Sequence, residues 1–298
     1  MKRKALIGGL RVGLFEEVHN REAVKAFMKR LNEANLQLDG EEDSWVHLKP
    51  FAAAGTVGHR LLKSMSDIDE KCEDSDFPCM VESHLPGREF SCEAFINKGK
   101  IKFLNITEYV KLGYSNFIPE GKYLESKRDL IHKHVQKLVD IFGIEFGMVH
   151  PEWFLTENDE LNFGETACRI PGGHILELCG QAYNFDALLA FVVSHDPNAT
   201  EEELNEIFPA EGYKPENHHG NVMIYPHKTQ FSKLEIPQEL NDEPYFVEHS
   251  LVPPLSTQKI SDTRAGFGNH FGTINFKGED PDRMTELLEY YQKVDFYV

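Results

Sequence analysis

The segment EFGMVHPEWFLTENDELNFGETACRIPGG constrains the fold more than any other part of the chain. Two strand-like runs flank a polar turn, and each run carries one glutamate, Glu152 or Glu165. If Asn158-Asp159 is a two-residue turn, directly opposed residues have numbers that sum to 317. Glu152 then faces Glu165, with Cβ atoms about 5 Å apart. Because side chains alternate along a strand, Arg169 lies on the same face as the two carboxylates.

Two carboxylates that face each other on a sheet repel, and a bound cation relieves the repulsion. The pair predicts a magnesium site, with Arg169 placed to grip phosphate. The alternative is a solvent-facing hairpin with scattered charges, and the pairing argument alone does not separate the two.

Two further segments have the composition of a nucleotide site. In WVHLKPFAAAGTVGHRLL, Lys49 ends a strand and a loop of small residues, Ala52–Gly58, follows. Small residues let backbone N–H groups approach an anion, and a lysine adds a point charge. In MVESHLPGREFS, Glu82 ends one strand and Glu89 opens the next. Taken singly, both segments are more typical of ordinary turns and strand connections than of a nucleotide site.

Composition excludes several functional classes. The net charge is −18, so nucleic acid and anionic membranes are disfavoured as main partners. The five cysteines are odd in number and lack metal-ligand spacing, which favours a reducing, cytoplasmic location. No apolar run reaches the about 20 residues of a membrane helix, and the longest, around Ala187–Val193, predicts a buried helix.

Hydrophobic periodicity predicts helices over Arg21–Asn35, Arg60–Ser66 and Ile175–Val193. His47 and His150 fall in strands, a position typical of hydrogen-bonded structural histidines. We expect four segments: an N-terminal helical remnant (1–44), a small lobe with a phosphate flap (45–120), a large lobe with the metal hairpin (121–215) and a C-terminal subdomain (216–298).

These motifs, in this order and spacing, resemble the ATP-grasp superfamily, and within it the carboxylate–amine ligases that make dipeptides and related amides. The similarity covers roughly residues 20–195. It implies an α+β fold in which two α+β lobes clasp a nucleotide, followed by a small C-terminal β-rich subdomain. It also implies ATP and magnesium (or manganese) as cofactors, and a small-molecule carboxylate and an amine as substrates.

The resemblance assigns roles to individual residues. Lys49 and, with poor alignment, Lys25 would bind phosphate, and Arg169 would stabilise the transferred phosphoryl group. Glu152 and Glu165 would hold the metal, and Glu89 would accept hydrogen bonds from ribose. The remaining residues would form the phosphate flap (Gly55, Thr56, Val57, Gly58) and the adenine-binding hinge (Glu82, Ser83, His84, Leu85).

Two departures from the family pattern keep other functions open. Ala167 stands where many members have a metal-binding asparagine. Only about 20 residues precede the first helix, where an α/β domain of roughly 100 residues is usual. We therefore keep two alternatives to an amide-forming ligase: a non-catalytic nucleotide-binding subunit and a small-molecule kinase. A homodimer, or a partner that supplies the missing domain, is compatible with either reading.

Overall fold

A computed structural model describes residues 1–35, 45–52, 57–210, 212–260 and 270–298. The chain forms two compact units. The N-terminal unit comprises Lys2–Arg88 and Trp153–Gly164, and the C-terminal unit comprises Met1, Glu89–Glu152 and Glu165–Val298. The division into four segments that the sequence predicts stays a prediction.

The helices of the described residues are α1 (Lys2–Ile7), α2 (Arg21–Asn35), α3 (Met65–Lys71), α4 (Lys122–Glu125), α5 (Arg128–Phe142), α6 (Ile175–Tyr183), α7 (Ala187–Ser194), α8 (Glu201–Ile207), α9 (Gln238–Asn241) and α10 (Pro281–Tyr291).

The strands are β1 (Arg11–Val12), β2 (Phe15–Val18), β3 (Val46–Lys49), β4 (Arg60–Leu62), β5 (Cys79–Ser83), β6 (Arg88–Asn97), β7 (Lys100–Lys111), β8 (Ser115–Ile118), β9 (Phe146–Leu155), β10 (Leu161–Ala167), β11 (His218–Met223), β12 (Gln230–Phe231), β13 (Phe246–His249), β14 (Gln258–Lys259) and β15 (Thr273–Gly278).

The N-terminal unit is built on a four-stranded antiparallel sheet in the order β2-β5-β3-β4. The helix predicted over Arg21–Asn35 is confirmed as α2. Its apolar residues recur at helical spacing and join the strand residues in one buried core, since that stripe is the only face that can leave water. The members from α2 are Val24, Phe27, Met28 and Leu31.

The helix predicted over Arg60–Ser66 is wrong. Residues Arg60–Leu62 form β4, which pairs with β3 and buries Leu62. The following helix begins only at Met65, where the Ser64 side chain accepts a hydrogen bond from the Asp67 N–H. Pairing with a neighbouring strand, which local periodicity does not report, decides the conformation here.

The C-terminal unit is organised by strands in the order β10-β9-β6-β7-β8-β11-β15-β13. Helix α5 packs on β7, α6 on β8 and β11, and α10 on β11 and β15. Strands β9 and β10 continue into the N-terminal unit as a hairpin, where β1 pairs in parallel with β10. The central strands therefore place the residues around Glu152 on a buried, well-supported sheet.

The helical conformation predicted over Ile175–Val193 is confirmed for most of the segment, although two helices, α6 and α7, occupy it. Helix α6 ends at Asn184, which adopts a left-handed conformation with φ of 53°, and α7 leaves at an angle of 108°. Among the described residues no single helix is long and apolar enough to cross a membrane, although α6 and α7 together match such a span in length and composition. The predicted burial of Ala187–Val193 holds for one face of α7 only: Ala187 and Ala190 are buried, whereas Leu188 and Val192 are mostly exposed.

The turn between β9 and β10 differs from the two-residue turn assumed from the sequence. The Asp159 N–H bonds to the Thr156 carbonyl and the Thr156 N–H bonds to the Glu160 carbonyl, each at 3.0 Å. Asp159 has φ of 61°, so the loop is a three-residue turn with a left-handed bulge residue. At the turn, opposed residues thus sum to 316 (156 plus 160) rather than 317. The direct opposition of Glu152 and Glu165, derived from the shorter turn, stays a prediction.

Candidate functional site

Glu82 lies at the centre of a buried charge cluster in the N-terminal unit. Its side chain is 3% exposed and contacts the Lys2 ammonium through Oε1, while Oε2 lies 3.3 Å from Lys49 Nζ. Lys2 also donates a hydrogen bond of 2.6 Å to the Gly164 carbonyl. Two cations thus converge on one carboxylate, with Lys2 and Glu82 buried and Lys49 partly exposed.

Lys2 is a residue that the sequence analysis missed, and Lys25 lies in different surroundings. The Lys25 ammonium is 2.7 Å from Asp69 and 3.3 Å from Glu22, at the surface of α2. Lys2 gave no signal in the sequence, because its importance depends on α1 bringing the second residue of the chain onto β5.

The hinge residues at the end of β5 and directly after it are held by hydrogen bonds to neighbouring segments. Ser83 and Leu14 exchange two hydrogen bonds, from Ser83 N–H to the Leu14 carbonyl and from Leu14 N–H to Ser83 Oγ. The His84 N–H donates to the Trp45 carbonyl at 2.9 Å, and Leu85 is buried. Gly87 follows with φ of 108°, and a Cβ there would lie 2.4 Å from the Leu155 carbonyl oxygen. Only glycine fits this close backbone approach.

A chain of three histidines connects the hinge with the strand that ends at Lys49. His47 Nδ1 lies 2.8 Å from His59 Nε2, and His47 Nε2 lies 2.9 Å from His84 Nδ1. Burial and the nearby His59 and Lys49 lower the pKa of His47 to about 3. Burial and the positive charge of Lys49 lower the pKa of His59 to about 4. His47 and His59 are therefore neutral near pH 7.

Part of the predicted flap lies outside the described residues, namely Gly55 and Thr56. Val57 is exposed. Gly58 has φ of 72°, and a Cβ there would lie 2.7 Å from Pro50. The positive φ and the close approach to Pro50 both favour glycine at this position.

In the C-terminal unit, the half-buried Glu152 is held by two side chains. Tyr109 donates its hydroxyl hydrogen to Glu152 Oε1 at 3.4 Å, and His150 Nε2 lies 3.7 Å from the same oxygen. Burial disfavours the charged imidazole, but hydrogen bonding to Glu152 and Glu93 raises the pKa of His150 to about 9. His150 is therefore an imidazolium near neutral pH.

The other side of His150 is fixed by Glu93, a fully buried carboxylate on β6. Glu93 Oε1 accepts hydrogen bonds of 2.9 Å from His150 Nδ1 and from Ser91 Oγ. Its Oε2 accepts from Thr107 Oγ1 at 2.6 Å and from the Asn105 amide. Sequence analysis missed Glu93, whose position opposite Asn105 follows from the β6–β7 register.

The remaining predicted residues also lie in the C-terminal unit. Glu165 is exposed on β10, the strand next to β9, and Arg169 follows β10 with its Nη1 donating to the Ile170 carbonyl at 3.0 Å. Glu89 is half-buried at the start of β6. The described residues bring together no group of three or more His, Cys, Asp or Glu side chains with metal-binding geometry. Glu152 and Glu165 offer the hard oxygen ligands that magnesium prefers, which fits a cation held by two carboxylates together with nucleotide phosphates.

Comparison with solved structures identifies the fold class. The chain has the ATP-grasp fold: an L-amino acid ligase from Bacillus licheniformis superposes with a TM-score of 0.69 at 16% identity, over 97% of this chain and 68% of that one. An N5-carboxyaminoimidazole synthetase from Staphylococcus aureus, solved with ADP, superposes with a TM-score of 0.61 at 14% identity, over 98% of this chain and 69% of that one.

Sequence comparison agrees with this fold. An L-arginine-specific L-amino acid ligase from Bacillus subtilis is 26% identical over 192 residues, which are 58% of this chain and 46% of that enzyme. The chain thus spans less than half the length of this curated relative. No family model matches. The predicted resemblance to ATP-grasp carboxylate–amine ligases is confirmed by these relatives.

Proposed function

We propose that the chain is an ADP-forming ligase that uses ATP and a divalent cation to join a small carboxylate to an amine. The observation that carries the proposal is the position of Lys49 and Glu82 on paired strands β3 and β5, within a chain that has the ATP-grasp fold. In this proposal Lys49 and Lys2 face the phosphates, residues Glu82–Leu85 bind adenine, and Glu89 binds ribose.

The chemistry follows from the poor reactivity of a carboxylate. The carboxylate oxygen attacks the γ-phosphorus of ATP, the bond to the bridging oxygen breaks, and ADP leaves. The neutral amine nitrogen then attacks the acyl carbon and loses a proton to solvent, the C–O bond breaks, and phosphate leaves as the amide forms. The protein's task is electrostatic, because the charge on the transferred phosphoryl group must be spread over cations. Arg169 would do so beside a cation held by Glu152 and Glu165, and Lys49 would bind phosphate.

The test is phosphate release from ATP and magnesium with pairs of carboxylates and amines, including amino acids. We expect release that depends on both substrates and falls at least about 100-fold in Glu165→Gln. The matched control is Glu157→Gln, an exposed glutamate in the turn of the same hairpin, which should behave as the parent. Release that is unchanged in Glu165→Gln would refute the assigned role of this glutamate.

A second candidate is a nucleotide-binding protein without catalysis. Ala167 favours it, because alanine supplies no metal ligand where many relatives of this fold have asparagine. ATP binding without turnover for any substrate pair would favour this candidate, and phosphorylated product formed without an amine would favour a kinase.

Sedimentation of the parent protein would test the further proposal that two copies associate.

A further inference from the structure

Glu93 and His150 form a buried pair in the C-terminal unit that the proposed chemistry leaves without a task. Glu93 has no exposed surface, and His150 is 7% exposed. Burying a carboxylate beside a hydrogen-bonded histidine in a sheet is costly, and apolar residues of similar volume are often equally stabilising. A structural role alone therefore does not account for the choice of these residues.

Glu93 fixes both the orientation and the protonation of the His150 ring. The carboxylate is anchored by four donors, two on each oxygen: Ser91 and His150 on Oε1, and Asn105 and Thr107 on Oε2. A carboxylate can only accept, so Nδ1 of His150 must carry the hydrogen that it donates at 2.9 Å. The ring cannot turn without breaking this bond inside a closed network.

The locked ring directs its second nitrogen at Glu152. His150 Nε2 lies 3.7 Å from Glu152 Oε1, and Tyr109 reaches the same oxygen. Both contacts fall on Oε1, so they restrain the position of this oxygen. Partners of this kind orient metal ligands, and their loss commonly weakens metal binding about 10- to 100-fold.

We propose that His150, locked by Glu93, is a positioning residue that orients the Glu152 carboxylate for a divalent cation. This inference rests on the proposed function, in which Glu152 is a metal ligand. It adds a second pair of residues, behind Glu152, on which cation affinity depends. Neither residue of the pair touches nucleotide or substrate in this arrangement.

The experiment measures manganese binding to the ADP-loaded protein by electron paramagnetic resonance, with ADP binding in the absence of metal measured by calorimetry. We expect His150→Ala to weaken manganese binding about 10-fold or more and to leave metal-free ADP binding within about twofold. The matched control, His132→Ala, removes an exposed histidine of α5 in the same unit and should not change either affinity.

Glu93→Gln tests whether Glu93 holds the His150 ring in place, because it changes the carboxylate but keeps the side-chain shape. This variant still tests the inference if His150→Ala fails to fold. If Glu93 acts through His150, Glu93→Gln weakens manganese binding, and the double variant is no weaker than His150→Ala alone. Folded single variants with the manganese affinity of the parent would overturn the inference while leaving the proposed function intact. A parent protein that binds ADP but no manganese would overturn both.

Discussion

At the scale of single residues, the two predicted phosphate-binding lysines have different environments. Lys49 is 28% exposed and shares the buried Glu82 with Lys2, whereas Lys25 pairs with the exposed carboxylates Asp69 and Glu22. A lysine already held near a buried carboxylate keeps its ammonium in a defined place at little further entropic cost. We therefore propose Lys49 rather than Lys25 as the phosphate ligand.

We expect Lys49→Met to weaken ATP binding about 10-fold or more, because a hydrogen bond to a charged group contributes roughly 1.5–3 kcal/mol. Lys25→Met is the matched control and should change the affinity less than about twofold, since it breaks only surface ion pairs. Calorimetric titration with ATP provides both values. A larger loss in Lys25→Met than in Lys49→Met would contradict the assignment.

At the scale of elements, α2 and the β9–β10 hairpin were predictable, because their patterns are local. The stripe of apolar residues in α2 fixes its buried face, and alternation with a polar turn fixes the hairpin. β4 and the break between α6 and α7 were not predictable in the same way. The first depends on pairing with β3, and the second on a left-handed Asn184 inside an apolar run.

The candidate site shows the same division between local and long-range information. Lys49, Glu152 and Glu165 stand at motif positions that a single segment reveals. Lys2 and Glu93 do not, because their roles arise when residues distant in sequence meet on neighbouring elements. Lys2, for example, contacts a glutamate 80 positions away.

The histidine chain makes the stability of the N-terminal unit depend on pH. His47 and His59 have folded-state pKa values of about 3 and 4, below the value of about 6.5 for an unfolded chain. The unfolded state therefore binds more protons between about pH 6.5 and 4, and the stabilisation present above pH 6.5 is lost as the pH falls through this window. The neighbouring charges oppose one another, since Lys49 lowers and Glu82 raises the pKa of His59.

We expect the thermal unfolding midpoint of the parent to fall by several degrees between pH 7 and pH 5, with a smaller fall in His47→Gln. Scanning calorimetry at a series of pH values measures this difference. His132→Gln, an exposed histidine of the C-terminal unit, should keep the parent profile. If the unfolding midpoint of His47→Gln varies with pH as that of the parent does, the three histidines do not set the pH dependence of stability.

At the scale of the whole molecule, the dominant property is the excess of acidic residues. The chain has 49 acidic and 31 basic residues, a net charge of −18 and a pI near 5.2. Its surface ion pairs, such as Lys29–Glu33 at 3.8 Å, are exposed and individually weak. Self-repulsion of the net charge therefore outweighs these pairs in the response of the folded state to salt.

This balance predicts that sodium chloride stabilises the protein at pH 7.5. Raising the ionic strength from about 0.01 M to 0.1 M shortens the screening length from about 30 Å to about 10 Å, which removes repulsion between distant carboxylates but spares contacts at 3–4 Å. We expect the unfolding midpoint to rise by a few degrees at pH 7.5 and to change little near pH 5.2, where the net charge vanishes. Choline chloride should act like sodium chloride, because screening does not depend on the identity of the cation. A rise confined to magnesium salts would instead indicate a specific cation site, and a fall at pH 7.5 would show that the ion pairs outweigh the net charge.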